Sequence, residues 1–421
     1  MTNPTVSLVV VSRGRPDDLR RCLAGLEQLT YRPFEVVVVA DPGGIAAIAD
    51  WTDDIKWAEY DQANISAARN IGARLAAGNI IAFIDDDAVP EPSWLDFLMP
   101  PFLEPQVSIA GGYVLERDGI NFQYRANQLD NVANHVPLEM TGDAPAVFEA
   151  PPGGAIKTEG TNFAIRRKAL VDLGGFDEAY RYYLDETDLN MRLARVGART
   201  AIVPLAQVHH GFAASERRTT HRRALCLFDI GSSLKTFLRK HAAPQEHAVA
   251  IDKARRNQRY FQEVHRRRTN IAPEEVERVM QSFEDGLKAA EKTEIGRRVE
   301  LGKPQAAFKM LCRADRFGKS LWFYGRERHR RQLQDEAVDR VEGGERVTLV
   351  VLESTTRFLR VGFDARGFWQ HSGGQFGRAG RHDRLFRLAT LKSRAYQEID
   401  RVRMLRGIVP GAGLPTSAMP G

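Results

Sequence analysis

The sequence predicts a mixed, mainly parallel α/β sheet over residues 1–215, a basic helical extension over 216–340 and a small strand-containing α+β module over 341–421. Three observations carry this reading. Short β-branched, apolar runs alternate with roughly ten-residue helical patterns through the first 110 positions, as βαβ units do. Residues 215–335 carry Arg and Glu at helical spacing almost throughout. Beyond residue 345 the β-branched runs return. The length of 421 residues exceeds a usual single domain, and 43% hydrophobic content with 9% aromatics is enough for a packed core.

Each element has a local reason. Val6–Ser12 is a short buried strand. Asp17–Leu29 places Leu19, Leu23 and Leu26 on one helical face. Phe34–Ala40 is β-branched, and Trp57–Tyr60 is a weaker strand. Ile65–Ala77 is an Ala-rich helix stopped by Gly78. Asn79–Ile84 is a strand that runs straight into Asp85-Asp86-Asp87, and Pro90 and Pro92 open a helix through Trp94 and Leu98. Trp94 is expected in the core. Residues 118–158 read as a long polar segment of little periodicity, a kind of loop that is usually functional. Thr161–Arg166 is a strand, the turn Gly174-Gly175 follows a short helix, Asp185–Val196 is a helix and Thr200–Val203 a strand. In the tail, Arg346–Leu352 and Arg357–Phe363 read as a strand pair, followed by a glycine-rich stretch and a basic helix. The final dozen residues, with three Pro and three Gly, read as loose. Phe368-Trp369 and Gly373–Gly377 fit no element.

The net charge of +6 conceals an asymmetry: −11 over residues 1–210, +11 over 211–340 and +6 over the remainder. Basic helices of this kind either dock on the acidic front or meet an anionic partner. Arg217-Arg218, Arg222-Arg223, Arg266–Arg268 and Arg328–Arg331 are interspersed with acids, which argues against a nucleic-acid stripe. No apolar run approaches the ~18 residues of a membrane span. Leu8–Val11 is too short for a signal-peptide core, and three scattered cysteines are neither a disulfide framework nor a zinc knuckle, so a cytoplasmic, reducing setting is expected.

Asp85-Asp86-Asp87 is the strongest chemical signal. Three adjacent carboxylates at the end of a buried strand repel one another. Ligands of open α/β sheets bind at the carboxyl ends of strands. A hard divalent cation, Mg²⁺ or Mn²⁺, relieves such repulsion and leaves positions for a phosphate.

Several segments resemble the family 2 glycosyltransferases with the GT-A (Rossmann-like) fold. They are Ser7–Ser12 with Arg13, Val36–Asp41, Ala68-Arg69-Asn70-Ile71-Gly72, Ala77–Asp87, Gly160–Arg167, Gly174–Glu178 and Tyr183–Leu189. The resemblance spans about residues 5–215. It implies an inverting transfer of a sugar from a nucleotide-diphosphate sugar to an acceptor hydroxyl, in bacterial polysaccharide or surface-glycan synthesis. By the same resemblance Asp87 is a metal ligand, Asp85 faces the ribose or the metal edge, and His210 of the His209-His210 pair completes the metal site or contacts the diphosphate. Ser12, Arg13, Asp41, Arg69, Asp85, Asp86 and Asn162 are the implied donor-binding residues, with Gly160 lining a pocket. Ala40-Asp41-Pro42-Gly43 departs from the family's usual polar pattern at the base contact.

Inversion needs one base to take the acceptor's proton. The family places it in an acidic pair, here Asp185-Glu186 where Glu-Asp is common. By position Glu186 matches the base and Asp185 is the runner-up. Asp188 caps the helix or orients an arginine such as Arg192. The acceptor class implied is a glycan or lipid-linked glycan, and the basic residues 211–340 are then candidates for a peripheral contact with an anionic membrane. Two rivals stand beside this reading. A metal-dependent nucleotidyltransferase would carry a glycine-rich phosphate loop near the first strand, of which Ser12-Arg13-Gly14-Arg15 is a faint version. A non-catalytic scaffold would have no need of Asp85, Asp87 and the acidic pair.

Overall fold

A computed structural model describes residues 3–211, 216–219, 221, 223–409 and 413–415. Arg222 and most of the final dozen residues, read above as basic and loose respectively, lie outside the described residues. The first unit is a mixed sheet built on β1 (Val6–Ser12), α1 (Pro16–Leu26), β2 (Phe34–Ala40), α2 (Pro42–Ala47), β3 (Lys56–Glu59), α3 (Ile65–Leu75) and β4 (Ile80–Asp85). These four strands are parallel, in the order β3-β2-β1-β4. Every residue of β1 and β2 is buried, as strands covered on both faces must be. Alternation sorts their side chains: Val6, Leu8 and Val10 pack with Leu19, Leu23 and Leu26 of α1, while Val9 and Val11 pack with Ala68 and Ala73 of α3. Helices therefore cover both faces, and the carboxyl ends of β1, β2 and β4 open at one edge.

β5 (Ala88–Pro90), α4 (Trp94–Leu98) and β6 (Val107–Leu115) follow. The segment read as an unstructured polar loop instead holds β7 (Phe122–Tyr124), β8 (Asn127–Leu129), β9 (His135–Pro137), β10 (Ala146–Phe148) and β11 (Ala155–Lys157). Each has three residues, too few to show alternation. β11, β8 and β9 form a small separate sheet. Then come β12 (Phe163–Arg166), α5 (Arg167–Leu173), α6 (Asp185–Arg195) and β13 (Arg199–His210). β12 runs antiparallel between β4 and β6, and β13 parallel to β6. The expected strand Thr200–Val203 is longer than read: it passes Pro204 through an irregular stretch and continues to His210.

α7 (Phe228–His241), α8 (Pro244–Thr269) and α9 (Pro273–Ala289) form the helical unit around Leu234, Leu238, Val279, Met280 and Phe283. Gly231 and Gly286 let α7 and α9 touch backbone to backbone. A Cβ on Gly231 would lie 2.2 Å from Phe283 O, and one on Gly286 would lie 2.0 Å from Phe228 O.

The helical reading fails after Ala289. Residues 290–319 run back across the first unit without α-helix: Gly296 and Gly302 hold left-handed φ values, and Val299 N–H pairs with Gly174 O, Gln305 N–H with Arg74 O and Leu311 N–H with Phe34 O. Next come β14 (Ser320–Arg326), α10 (Arg330–Glu342), β15 (Arg346–Glu353), β16 (Arg360–Asp364), β17 (Phe368–Gly374), α11 (Leu391–Arg406) and β18 (Gly413–Pro415). Their sheet runs β16-β17-β15-β14-β18. The expected pair 346–352 and 357–363 are not neighbours, since β17 lies between them. A boundary at residue 340 would cut α10 from the sheet on which it packs. Among the described residues no helix is long and apolar enough to cross a membrane. Cys22 is buried, and Cys226 and Cys312 are exposed and unbridged.

Candidate functional site

The carboxyl ends of β1, β2 and β4 border a cleft of about 510 Å³, lined among others by Ser12, Arg13, Arg15, Asp41, Asp85, Asp87, His210, Arg217 and Arg218. Asp85 ends β4. Three residues later, at Ala88, the chain enters β5, which pairs antiparallel with the end of β13 so that His210 lies opposite Ala88. This ribbon brings His210 beside the acidic triplet. One ligand atom each from Asp85, Asp87 and His210 all lie within 4.8 Å of one another. His210 Nε2 is 3.2 Å from Asp87 Oδ1, and its Nδ1 is 2.9 Å from Gln123 Oε1. An amide oxygen accepts only, so Gln123 favours the proton on Nδ1 and leaves Nε2 as a donor atom for a metal. Two carboxylates and an imidazole form a donor set that fits Mn²⁺ and, through its oxygens, Mg²⁺.

The triplet divides its labour. Asp86 is fully buried, accepts from Ser12 Oγ at 2.6 Å and pairs with Arg15 at 2.6 Å. Burial pushes its carboxyl up to about 8, with Arg15 opposing. It thus holds Ser12 and Arg15 from beneath rather than lining the cleft, which corrects the expectation of a donor contact. Arg15 lies 3.4 Å and Arg218 3.6 Å from Asp87, and Arg181 and Arg217 add to a cleft rim suited to a diphosphate. Arg13 is half-exposed against Asp61 and Glu216. Asp41 accepts from Gly14 N–H at 2.9 Å, where Gly14 has a left-handed φ of 68°.

Arg69 is buried and joins the two acidic groups of the site. It donates to Asp85 at 3.2 Å, to Asp185 and to Gly160 O at 2.9 Å, with Phe83 and Phe176 against its faces. A Cβ on Gly160 would lie 3.1 Å from the guanidinium, a tight approach. Asn162 is fully buried and fully used. It accepts from Trp94 Nε1 at 2.8 Å and donates to Tyr113 O and Ala206 O at 2.8 and 2.9 Å. It braces β6, β12 and β13, which corrects its assignment to a donor pocket. Trp94 lies in the core as expected.

Asp185 and Glu186 begin α6, directly after Tyr183 and Leu184, which hold left-handed φ values of 70° and 65°. Such strain in non-glycine residues persists where surrounding contacts impose it. Asp185 is enclosed, its side chain 3% exposed, and burial raises its carboxyl to about 7 against the pull of Arg69. Glu186 is more open at 13% and meets Lys157 Nζ at 2.6 Å. Burial works against its charge too, but Lys157 outweighs burial and takes it down to about 2. Lys157, from β11, is itself buried and also meets Glu159 at 3.2 Å and Thr158 O at 2.9 Å. Asp188 orients Arg192 at 2.7 Å, as expected, and also meets Lys240 and His241 of α7.

Sequence reasoning missed Lys157, Gln123 and Arg218. The first two sit in three-residue strands inside the polar segment, and Arg218 in a cluster read only as charge. Arg15 carries no sequence signal beyond the faint Ser12-Arg13-Gly14-Arg15 loop pattern.

Residues 7–174 match the family model described as glycosyl transferase family 2. The O-antigen biosynthesis protein RfbC of Myxococcus xanthus is 30% identical over 51% of this chain and 18% of its own length. A pre-mycofactocin glycosyltransferase of Mycobacterium tuberculosis is 28% identical over 52% of this chain and 45% of its own. The chain thus spans less than half the length of either relative. A crystal structure of GalNAc-T7 with UDP, GalNAc and Mn²⁺ aligns with a TM-score of 0.42 at 20% identity, covering 50% of this chain and 44% of that one.

Proposed function

We propose that the protein, whose residues 7–174 match the family model described as glycosyl transferase family 2, transfers a sugar from a nucleotide-diphosphate sugar to an acceptor hydroxyl with inversion at the anomeric carbon. The observation that carries this is the convergence of Asp85, Asp87 and His210 on a cleft rimmed by arginines, with Arg69 tying Asp85 to the acidic pair. Asp85, Asp87 and His210 would hold Mn²⁺ or Mg²⁺, which when bound supplies positive charge to the leaving diphosphate.

The chain's own groups do the rest. Arg15 and Arg218, beside Asp87, would offset the remaining charge on the diphosphate, and Arg13 and Asp41, which line the same cleft, would receive the nucleoside end of the donor. Glu186, the more reachable member of the pair, accepts the acceptor's proton as its oxygen attacks the anomeric carbon and the bond to the diphosphate breaks. Lys157 holds that carboxylate ionised and oriented. Asp185 holds Arg69 and is the second candidate for the base.

The acceptor we propose is a glycan or lipid-linked glycan in polysaccharide or surface-glycan synthesis, reached from the cytoplasmic side. Residues 211–340 would face an anionic membrane surface. Val249, Tyr260 and Phe261 are exposed on α8 among its arginines, a composition suited to a lipid interface. The division into a catalytic unit, a helical unit and a C-terminal unit is likewise our reading.

Incubating the protein with a panel of nucleotide-diphosphate sugars and Mn²⁺ tests the function. Release of nucleoside diphosphate with one sugar is the expected result. Release of pyrophosphate from a nucleoside triphosphate and a sugar phosphate would favour a nucleotidyltransferase instead. Inertness towards all donors would favour a scaffold.

A further inference from the structure

Arg406 is the last residue of α11, and its side chain is 2% exposed. Its Nε and Nη2 donate to the two oxygens of Glu91, each at 2.8 Å. Glu91 directly follows β5, and its Oε1 also lies 2.8 Å from His209 Nε2. Trp369 of β17 closes the group: its ring centroid lies 4.2 Å from the Arg406 guanidinium carbon and 4.6 Å from the His209 ring. Trp369 belongs with Val361, Phe363 and Val89 to one apolar cluster. On its far side Arg406 reaches His371 at 3.1 Å and Thr348 at 3.3 Å. Ser93 N and Oγ both donate to Leu405 O, and Ser320 Oγ donates to Arg406 O, so the end of α11 is anchored from two units.

This chain of contacts begins in the C-terminal sheet and ends one residue short of His210. The antiparallel pairs are His209 with Val89 and His210 with Ala88. One short ribbon thus carries Asp87 at its start and His210 at its end. Its underside is gripped by Arg406 and Trp369. A buried ion pair adds little to stability over an apolar equivalent, but a bidentate arginine–carboxylate contact adds geometric specificity.

We infer that the C-terminal unit is a positioning element of the metal and diphosphate site: Arg406, through Glu91 and His209, sets the β5–β13 ribbon and with it the placement of His210 against Asp87. The inference rests on the reading of Asp85, Asp87 and His210 as metal ligands. Simple adhesion between units predicts a change in stability alone.

Binding of Mn²⁺ to the full chain, without donor, is measured by electron paramagnetic resonance of the free ion, together with the melting temperature. Arg406→Lys keeps the charge but loses the two-pronged contact. Loss of a direct outer partner of a metal ligand typically weakens binding about 10–100-fold; Arg406 acts further out, through Glu91 and His209, so a loss of roughly threefold to tenfold is expected here. Arg346→Lys is the control. Arg346 donates to Gln28 O and Gly318 O in the same interface, past the end of α1 remote from Arg15, so this variant should lower the melting temperature and leave Mn²⁺ affinity unchanged. Trp369→Phe carries the same expectation as Arg406→Lys, and serves if the latter does not fold. Unchanged Mn²⁺ affinity in both site-side variants overturns the inference, whatever their melting temperatures. Wild-type protein that binds no Mn²⁺ overturns the metal reading itself and the inference with it, a failure visible without any variant.

Discussion

Lys157 Nζ lies 2.6 Å from Glu186 Oε1, so a buried ammonium holds the more reachable member of the acidic pair in its charged form. The sign of the consequence is fixed. Glu186 sits below its ordinary value, so its contribution to stability is present above about 4.3 and lost as pH falls through about 2. In Lys157→Met, burial is opposed only by the weaker pull of Arg69 and a backbone hydrogen bond, and Glu186 rises. A base works only when ionised, so the acid limb of the kcat/KM profile should move to higher pH. A profile superimposable on that of the wild type refutes the role of Lys157.

Glu186→Gln should keep donor binding near normal while turnover falls roughly 10²–10⁴-fold, the usual worth of a general base. Asp185→Asn should act differently, loosening Arg69 and weakening donor binding as well. Steady-state kinetics with the donor varied separates the two. Full activity in Glu186→Gln with none in Asp185→Asn would exchange their roles.

Asp87→Ala should abolish transfer and remove the metal dependence of nucleotide-diphosphate binding. Calorimetric titration with and without Mn²⁺ reads this directly. Equal, metal-independent binding by wild type and variant is the contrary result.

Gly72→Ala should destabilise the fold without touching the cleft. Its Cβ would fall 2.4 Å from Val9 Cγ1, and Val9 is a β-branched residue in a fully buried strand that has little room to turn. Overpacking of this kind costs about 1–3 kcal/mol, seen as a lower denaturation midpoint. An unchanged midpoint would mean that α3 shifts freely on the sheet.

Co-sedimentation with liposomes tests the membrane reading. Binding should require anionic lipid and fade as salt rises, since screening acts over about 8 Å at physiological ionic strength. It should also be modest. Arg255 is paired with Glu284, Arg259 with Glu277 and Arg266 with Glu263, so much of the positive charge of α8 is already answered within the helical unit. Absence of binding at low salt removes the membrane from the proposal.

The sequence made legible whatever repeats locally. The buried strands, the Asp85–Asp87 triplet at a strand end and the acids opening α6 all declare themselves within a few residues. Gly72 and Gly160 were visible too, though only the fold shows the close approach of Val9 and of Arg69 to them. What stayed hidden depends on partners far along the chain. Lys157 and Gln123 lie in strands too short for a period. β17 reads as FWQHSGG, poor in apolar residues, yet occupies an inner position between β15 and β16. Residues 290–319 are charged and read as helix, but Gly296 and Gly302 turn left-handed and Val299, Gln305 and Leu311 bond to the first unit. Asn162 and Asp86 looked like ligand contacts because their positions are right, whereas their polar atoms are consumed by neighbours.

The pairing of Ala88 with His210, and of Glu91 with Arg406, sets an order on the making of the protein. The acidic triplet emerges from the ribosome before its histidine, and the arginine beneath that histidine emerges later still. Contacts so distant in sequence also form late during folding, because long loops must close first. A chain interrupted before Arg406 would keep the acidic strand end yet lack the contacts that hold its ribbon.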